Sequence, residues 1–157
     1  FMLCHRLDYP SCSEEEDVLQ RSLSLGLQRT DGGAVPRTAF DLLDKKPVAT
    51  VADLVEMMAA VQEVHVSDVF QKHTVEVVRR TRRHPSIEIG ASPRAGLAMI
   101  QAARARAFIH SRDYVVPEDL YALAEDVLLH RIRLKYEALA EGVSGVSVLK
   151  EILSEAG

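Results

Sequence analysis

Gly90-Ala91-Ser92-Pro93-Arg94, with the alanine-rich run from Ala95 to Ile109 behind it, is the stretch that decides the fold. Ser92 is a favoured N-cap type, Pro93 suits the first helical position, and the run that follows has high helix propensity. A long helix with a well-specified start is therefore expected. Its Ala95, Ala98, Ala102 and Ala105 form one small-residue face, which lets neighbouring helices approach closely and marks this as the central helix of a bundle. Arg94 runs against the local electrostatics. A cation in the first turn faces the positive end of the helix dipole, at a cost of about 0.3–1 kcal/mol. Backbone N–H groups at a helix start favour an anion, and an arginine beside them would complete a phosphate site. The plainer reading is a surface arginine that pairs with Asp113 or Glu118.

Working outward, Asp113-Tyr114-Val115 ends the connection after this helix and Pro117-Glu118-Asp119 opens the next, with acids where the dipole favours them. Leu120, Leu123, Ala124, Val127 and Leu128 form its apolar stripe. His130 to Leu134 reads as a short strand that can pair with Ser86 to Ile89. Residues 135 to 145 read as a linker, and a last helix uses Leu149, Ile152 and Leu153. Upstream, Thr50 caps a helix with Val51, Leu54, Val55, Met58 and Val61 at helical spacing; Met57 and Met58 read as core filler. Ser67 caps another, burying Phe70, Thr74 and Val77. Its end carries Arg79, Arg80, Arg82, Arg83 and His84 before Pro85, and basic residues suit that end of the dipole.

The first third of the chain is less regular. Phe1 to Leu7 reads as a short strand, and Asp8-Tyr9-Pro10 turns the chain away. Ser13-x-x-Glu16 predicts a capping box opening a helix that buries Val18, Leu19 and Leu23 and ends at Gly26. Gln28 to Lys46 is polar, with Asp31-Gly32-Gly33 and Pro36. It is expected as an irregular, mobile loop within 28–48, anchored by Phe40, Leu42 and Leu43. The fold class is mostly α: a helical bundle with a short N-terminal strand and one small two-stranded pairing.

At 157 residues the chain can bury one respectable core, and its net charge of −4 argues against a general nucleic-acid binder. No apolar run approaches the roughly 18 residues of a membrane span, and no secretory signal pattern opens the sequence, so a cytoplasmic location is the default. Cys4 and Cys12 are expected as free thiols. The histidines show no H-x-x-x-H or H-E-x-x-H spacing, so no metal site is expected. No lysine follows a glycine, which excludes the phosphate-binding loop G-x-x-x-x-G-K-[ST].

The run from Gly90 to Leu120, with RDYV-x-PED at 112–119, resembles the helical lid of MoxR-type AAA+ ATPases. FMLCHRLDYPS at the start, VHVSD at 64–68 and HRIRL at 130–134 extend the resemblance over most of the chain. Val116 departs from it, standing where the family usually has a threonine able to cap the following helix. The resemblance implies that Arg94 is the sensor 2 arginine, with Ala91, Ser92 and Pro93 on the phosphate side of a bound nucleotide. It implies that residues 1–12 are the remnant of an AAA+ core, ending in its last strand, and that 13–157 are the lid. ATP and Mg²⁺ would then be cofactors of a longer parent whose catalytic motifs lie upstream, and these residues alone would be inactive. Partners implied are the parent's own core, neighbouring subunits of a ring, a hexamer, and von Willebrand A domain proteins. Thr81-Arg82 also follows the family pattern, so Arg79, Arg82 and Arg83 are candidate inter-subunit contacts. The lid of a magnesium chelatase ATPase subunit shares the expected fold and sensor, and a helical module docking nucleic acid or protein remains the alternative outside the ATPases.

Overall fold

The computed structural model describes residues 1–42 and 46–156. The chain divides into two compact units, one of residues 7–50 and the other of residues 1–6 with 51–157.

In the smaller unit, helix α1 (Cys12–Ser24) begins after Ser11, two residues before the expected start. Ser11-x-x-Glu14 makes the capping box: the Ser11 N–H donates to Glu14 Oε2 at 2.8 Å, and the Glu14 N–H donates to Ser11 Oγ at 3.4 Å. Ser13-x-x-Glu16 fits the same pattern, but the earlier start adds helix and places Glu14 and Glu15 in the first turn, where the dipole favours them. The expected burial does not occur, since Val18, Leu19 and Leu23 are all exposed. Gln28 to Lys46 is not wholly irregular either. Strands β1 (Leu27–Thr30) and β2 (Gly33–Pro36) form an antiparallel hairpin with Thr30 opposite Gly33 and Asp31-Gly32 as its two-residue loop. A 3-10 turn follows at Ala39–Leu42, closed by Asp41 Oδ2, which accepts from the N–H and hydroxyl of Thr38 at 2.7 and 2.9 Å. Phe40 is exposed and anchors nothing. Leu43 and the side chain of Leu42 lie outside the described residues.

The larger unit is a bundle around one long helix. Helices α2 (Val51–Glu63), α3 (Asp68–Thr81) and α5 (Pro117–Leu128) all pack against α4 (Pro93–Ile109). Helix α7 (Gly145–Ala156) packs on α3 and α5. The short strands β3 (Ile87–Ile89) and β4 (Arg133–Leu134) pair antiparallel, joining the two stretches expected to meet. Helix α6 (Tyr136–Ala140) occupies part of the expected linker. Phe1–Leu7 forms no strand. The Cys4 N–H donates to the Asp126 carbonyl at 2.9 Å and the Arg131 guanidinium to the carbonyls of Phe1 and Met2, so this backbone is held by side chains and a helix end instead of a sheet.

Packing explains the centrality of α4. Its Ala95, Ala98, Ala102, Ala103 and Ala107 are buried, so neighbouring backbones come close, while Met99, 1% exposed, fills the space between them. Ala105, expected on the buried face, is only half-buried; Ala103 and Ala107 take the interior instead. Around this face Val77, Leu120, Val127, Leu128, Val148 and Ile152 are almost wholly removed from water, each worth about 1.5–3 kcal/mol of burial. Helix α2 contributes no fully buried residue, and Val51, Leu54, Val55, Met57 and Met58 remain exposed, so the two methionines are not core filler.

One charged group lies inside this bundle. Asp119 is 1% exposed and meets Arg112 in a two-pronged pair at 2.6 and 2.8 Å, with Arg106 Nε a further 3.2 Å away. Arg106 contributes charge without an aligned hydrogen bond, because its Nε finds no acceptor in the right direction. Ser111, at φ 55°, closes α4 and turns the chain so that the Arg112 N–H donates to the Ala107 carbonyl and its guanidinium swings back to α5. Asp119 also accepts the Val116 N–H at 3.0 Å. This is the reciprocal half of a capping box whose forward half Val116, lacking a hydroxyl, cannot supply. Burial pushes the Asp119 carboxyl up, but the hydrogen bonds from Arg112 and Val116 and the charges of Arg112 and Arg106 outweigh it, leaving the group below the usual carboxylate value.

Asp119→Ala would remove the carboxylate from both guanidiniums, leaving Arg112 only its bond to the Tyr114 carbonyl. Since each keeps some contact with water, the expected loss is about 2–3 kcal/mol in urea unfolding, below the roughly 3–5 kcal/mol of a fully buried broken pair. The lowered carboxyl stabilises the fold fully above its unfolded value of about 3.9 and loses that effect as pH falls through the lower folded value. Asp119→Asn should therefore flatten the acid limb of stability below about pH 4, and an unchanged limb would contradict the assignment. Separately, Ala107→Leu should destabilise by about 1–3 kcal/mol through overpacking, with Ala105→Leu costing clearly less; equal costs would refute the buried face described above.

Candidate functional site

The start of α4 and the end of α3 meet at one place. Gly90 passes so close to α3 that a Cβ there would fall 2.7 Å from the N, Cα and Cγ of Arg82. Ala91 is wholly buried, and both its backbone groups are engaged by consecutive residues of the α3 end: its N–H donates to Thr81 Oγ1 at 2.9 Å, and its carbonyl accepts from Arg82 Nε at 2.7 Å. The Thr81 hydroxyl in turn donates to the Val78 carbonyl at 2.7 Å.

From this anchored point the chain enters α4 through Ser92 and Pro93. Ser92 stands at the N-cap position in extended conformation, but its hydroxyl makes no capping bond, contrary to the usual role of serine there. Pro93 lacks an N–H, and the Ala95 N–H donates to the Ser92 carbonyl at 2.9 Å. An anion at this end would therefore be met mainly by side chains. Arg94 is exposed and, among the described residues, has no hydrogen-bond or ion-pair partner; the pairing with Asp113 or Glu118 does not form. Both the Ser92 hydroxyl and the Arg94 guanidinium are thus uncommitted at the same helix start.

The arginine cluster sorts into different roles. Arg80 bonds to Glu76 at 3.1 Å and to Glu155 at 2.9 Å, and Arg82 is engaged on Ala91. Arg79 and Arg83 are exposed and carry no ion pair among the described residues. Lys72, Arg79 and Arg83 line an open depression of about 460 Å³ on α3 with Gln71, Val75 and Glu76. Of the five basic residues at 79–84, Arg80 is paired with Glu76 and Glu155, Arg82 is engaged on the Ala91 carbonyl, and His84 accepts the Ser86 N–H and lies 3.4 Å from Glu151, which weakens a nucleic-acid reading of the cluster. Among the described residues no group of three or more His, Cys, Asp or Glu could hold a metal ion, and no helix is long and apolar enough to cross a membrane.

The sequence places Ser92 at the N-cap and Arg94 in the first turn of α4, and the structure has them there. The grip on Ala91 is not evident from the sequence, whose only signal for it is the hydroxyl of Thr81 at a helix end otherwise rich in charge.

Comparison with known proteins bears on this region directly. Residues 79–152 match the family model of the AAA lid domain. Over 154 residues the chain is 35% identical to the uncharacterised protein YeaC of Bacillus subtilis, covering 98% of this chain and 44% of YeaC. It is 31% identical over 162 residues to chaperone MoxR1 of Mycobacterium tuberculosis, covering 98% and 39% respectively. A crystal structure of a candidate ATPase from Cytophaga hutchinsonii superposes with a TM-score of 0.80 at 29% identity, covering 98% of this chain and 45% of that one. The chain thus spans less than half the length of the relatives it matches.

Because the Ser92 hydroxyl caps nothing, Ser92→Ala should change unfolding free energy by less than about 0.5 kcal/mol, against about 1 kcal/mol for a working serine cap. A loss of the larger size would show that the hydroxyl does cap α4.

Proposed function

Residues 79–152 are an AAA lid domain, in a chain of the MoxR kind, and from that premise we propose that Arg94 is the sensor 2 arginine of an AAA+ ATPase. In this reading residues 13–157 are the lid and residues 1–12 its junction with an ATPase core that supplies the phosphate-binding loop. The observation that carries it is an exposed, unpartnered guanidinium in the first turn of α4, held where the helix dipole opposes it. A guanidinium so placed is suited to an anion.

ATP, when bound, supplies the terminal phosphoryl group that is transferred. Arg94 would meet that group's oxygens with a planar pair of donors, and the free Ser92 hydroxyl offers one more. Ala91 and Pro93 fix the backbone from which both side chains project. A guanidinium so placed stabilises negative charge during transfer and loses its partner once the phosphate leaves, which gives the lid a reason to move. The ligands of Mg²⁺ would belong to the core. Arg79 and Arg83, unlike Arg82, are free to contact a neighbouring subunit of a ring such as a hexamer. Similarity to MoxR1 favours a chaperone-like role, assembling or activating partner proteins such as those with von Willebrand A domains, over a magnesium-chelatase type of lid.

On the full-length protein, Arg94→Ala should lower steady-state ATP hydrolysis about 10–100-fold, the worth of one charge-assisted contact of about 1.5–3 kcal/mol, while leaving the fold's stability unchanged or slightly raised. Unchanged turnover together with unchanged nucleotide affinity would remove the sensor role.

A further inference from the structure

We infer that Thr81 and Arg82 are positioning residues for Arg94, holding the segment that carries it to the end of α3 so that the setting of the guanidinium follows that helix. The inference rests on the sensor reading of Arg94 and adds to it the device that aims the side chain.

The geometry is a two-point grip on a single residue. Thr81, wholly buried, accepts the Ala91 N–H, while Arg82, exposed but for its Nε contact, donates to the Ala91 carbonyl. Neither bond belongs to a helix or a strand ladder, and both come from the last turn of α3 and its C-cap. The Thr81 hydroxyl is fixed as donor to Val78 and so presents its lone pair to Ala91. Gly90 allows the approach by lacking a Cβ, which would otherwise strike the Arg82 backbone at 2.7 Å. From Ala91 to Arg94 only two residues intervene, and Pro93 has a fixed φ. Little backbone freedom is left between the grip and the Cα of Arg94, from which the side chain reaches out. A shift of the α3 end therefore moves Arg94 with it.

Thr81→Val keeps the side chain's shape and removes only the hydroxyl, and Thr81→Ser restores it. In the full-length protein, hydrogen exchange at the Ala91 amide should rise about tenfold in Thr81→Val and return in Thr81→Ser. The kcat for ATP hydrolysis should fall about 5–10-fold with KM little changed, since a loosened sensor fails chiefly at the transition state, and Thr81→Ser should restore it. Arg82→Ala, a change at an exposed side chain that spares the interior, should act in the same direction if Thr81→Val does not fold. Unchanged exchange at Ala91 overturns the grip. Faster exchange with unchanged kcat, in a protein where Arg94→Ala does lower kcat, overturns the positioning role. Unchanged kcat in Arg94→Ala overturns the sensor reading itself, and is told apart because that variant leaves the Ala91 amide as it was.

Discussion

The bundle depends on a carboxylate that water cannot reach. Asp119 sits in the first turn of α5 with two arginines from the end of α4 and beyond it, and its oxygens also receive the Val116 N–H. A buried charge is tolerated only when its partners are close and aligned, so this one group dictates how far α4 can run, where the chain must turn at Ser111, and how α5 begins. The turn is tight enough to place a non-glycine residue in left-handed backbone. Once α4 and α5 are locked at this corner, the alanine face of α4 lies against its neighbours along its whole length.

That corner and the Ala91 grip lie at opposite ends of α4, and the two ends are built differently. The C-terminal end is fixed by paired charge, Asp119 against Arg112 and Arg106. The N-terminal end is fixed through backbone, by Thr81 and Arg82, and leaves its charged side chain unpaired. Stability therefore needs nothing further from Arg94. An arginine that serves no internal contact and opposes the dipole lowers stability slightly, a cost that the proposed sensor role would offset.

Legibility in the sequence followed the range of each interaction. Pro93 and Pro117 mark helix starts by local sterics, and the stripe from Leu120 to Leu128 has helical spacing, so α4 and α5 could be read directly. Spacing reports which side of a helix is apolar, not whether anything covers it. Hence Val18, Leu19 and Leu23 of α1, and Val51, Leu54 and Val55 of α2, form stripes that stay exposed. The hairpin at 27–36 escaped because its strands are four residues each and lack clean alternation; Asp31-Gly32 was its one usable signal. Nothing local reveals that Thr81 will meet Ala91 ten residues later.

The contrast between Arg82 and Arg94 carries the argument furthest. Both are arginines at helix ends, both are exposed, and they stand on two helices that converge at Ala91. Arg82 lies at a C-terminus, where its charge suits the dipole and its Nε has an acceptor; every local force favours it there. Arg94 lies at an N-terminus with no acceptor, where every local force disfavours it. In the proposed reading the partner of Arg94 is a terminal phosphate, whose several acceptor oxygens and more than one negative charge would reverse the sign of each force acting on it.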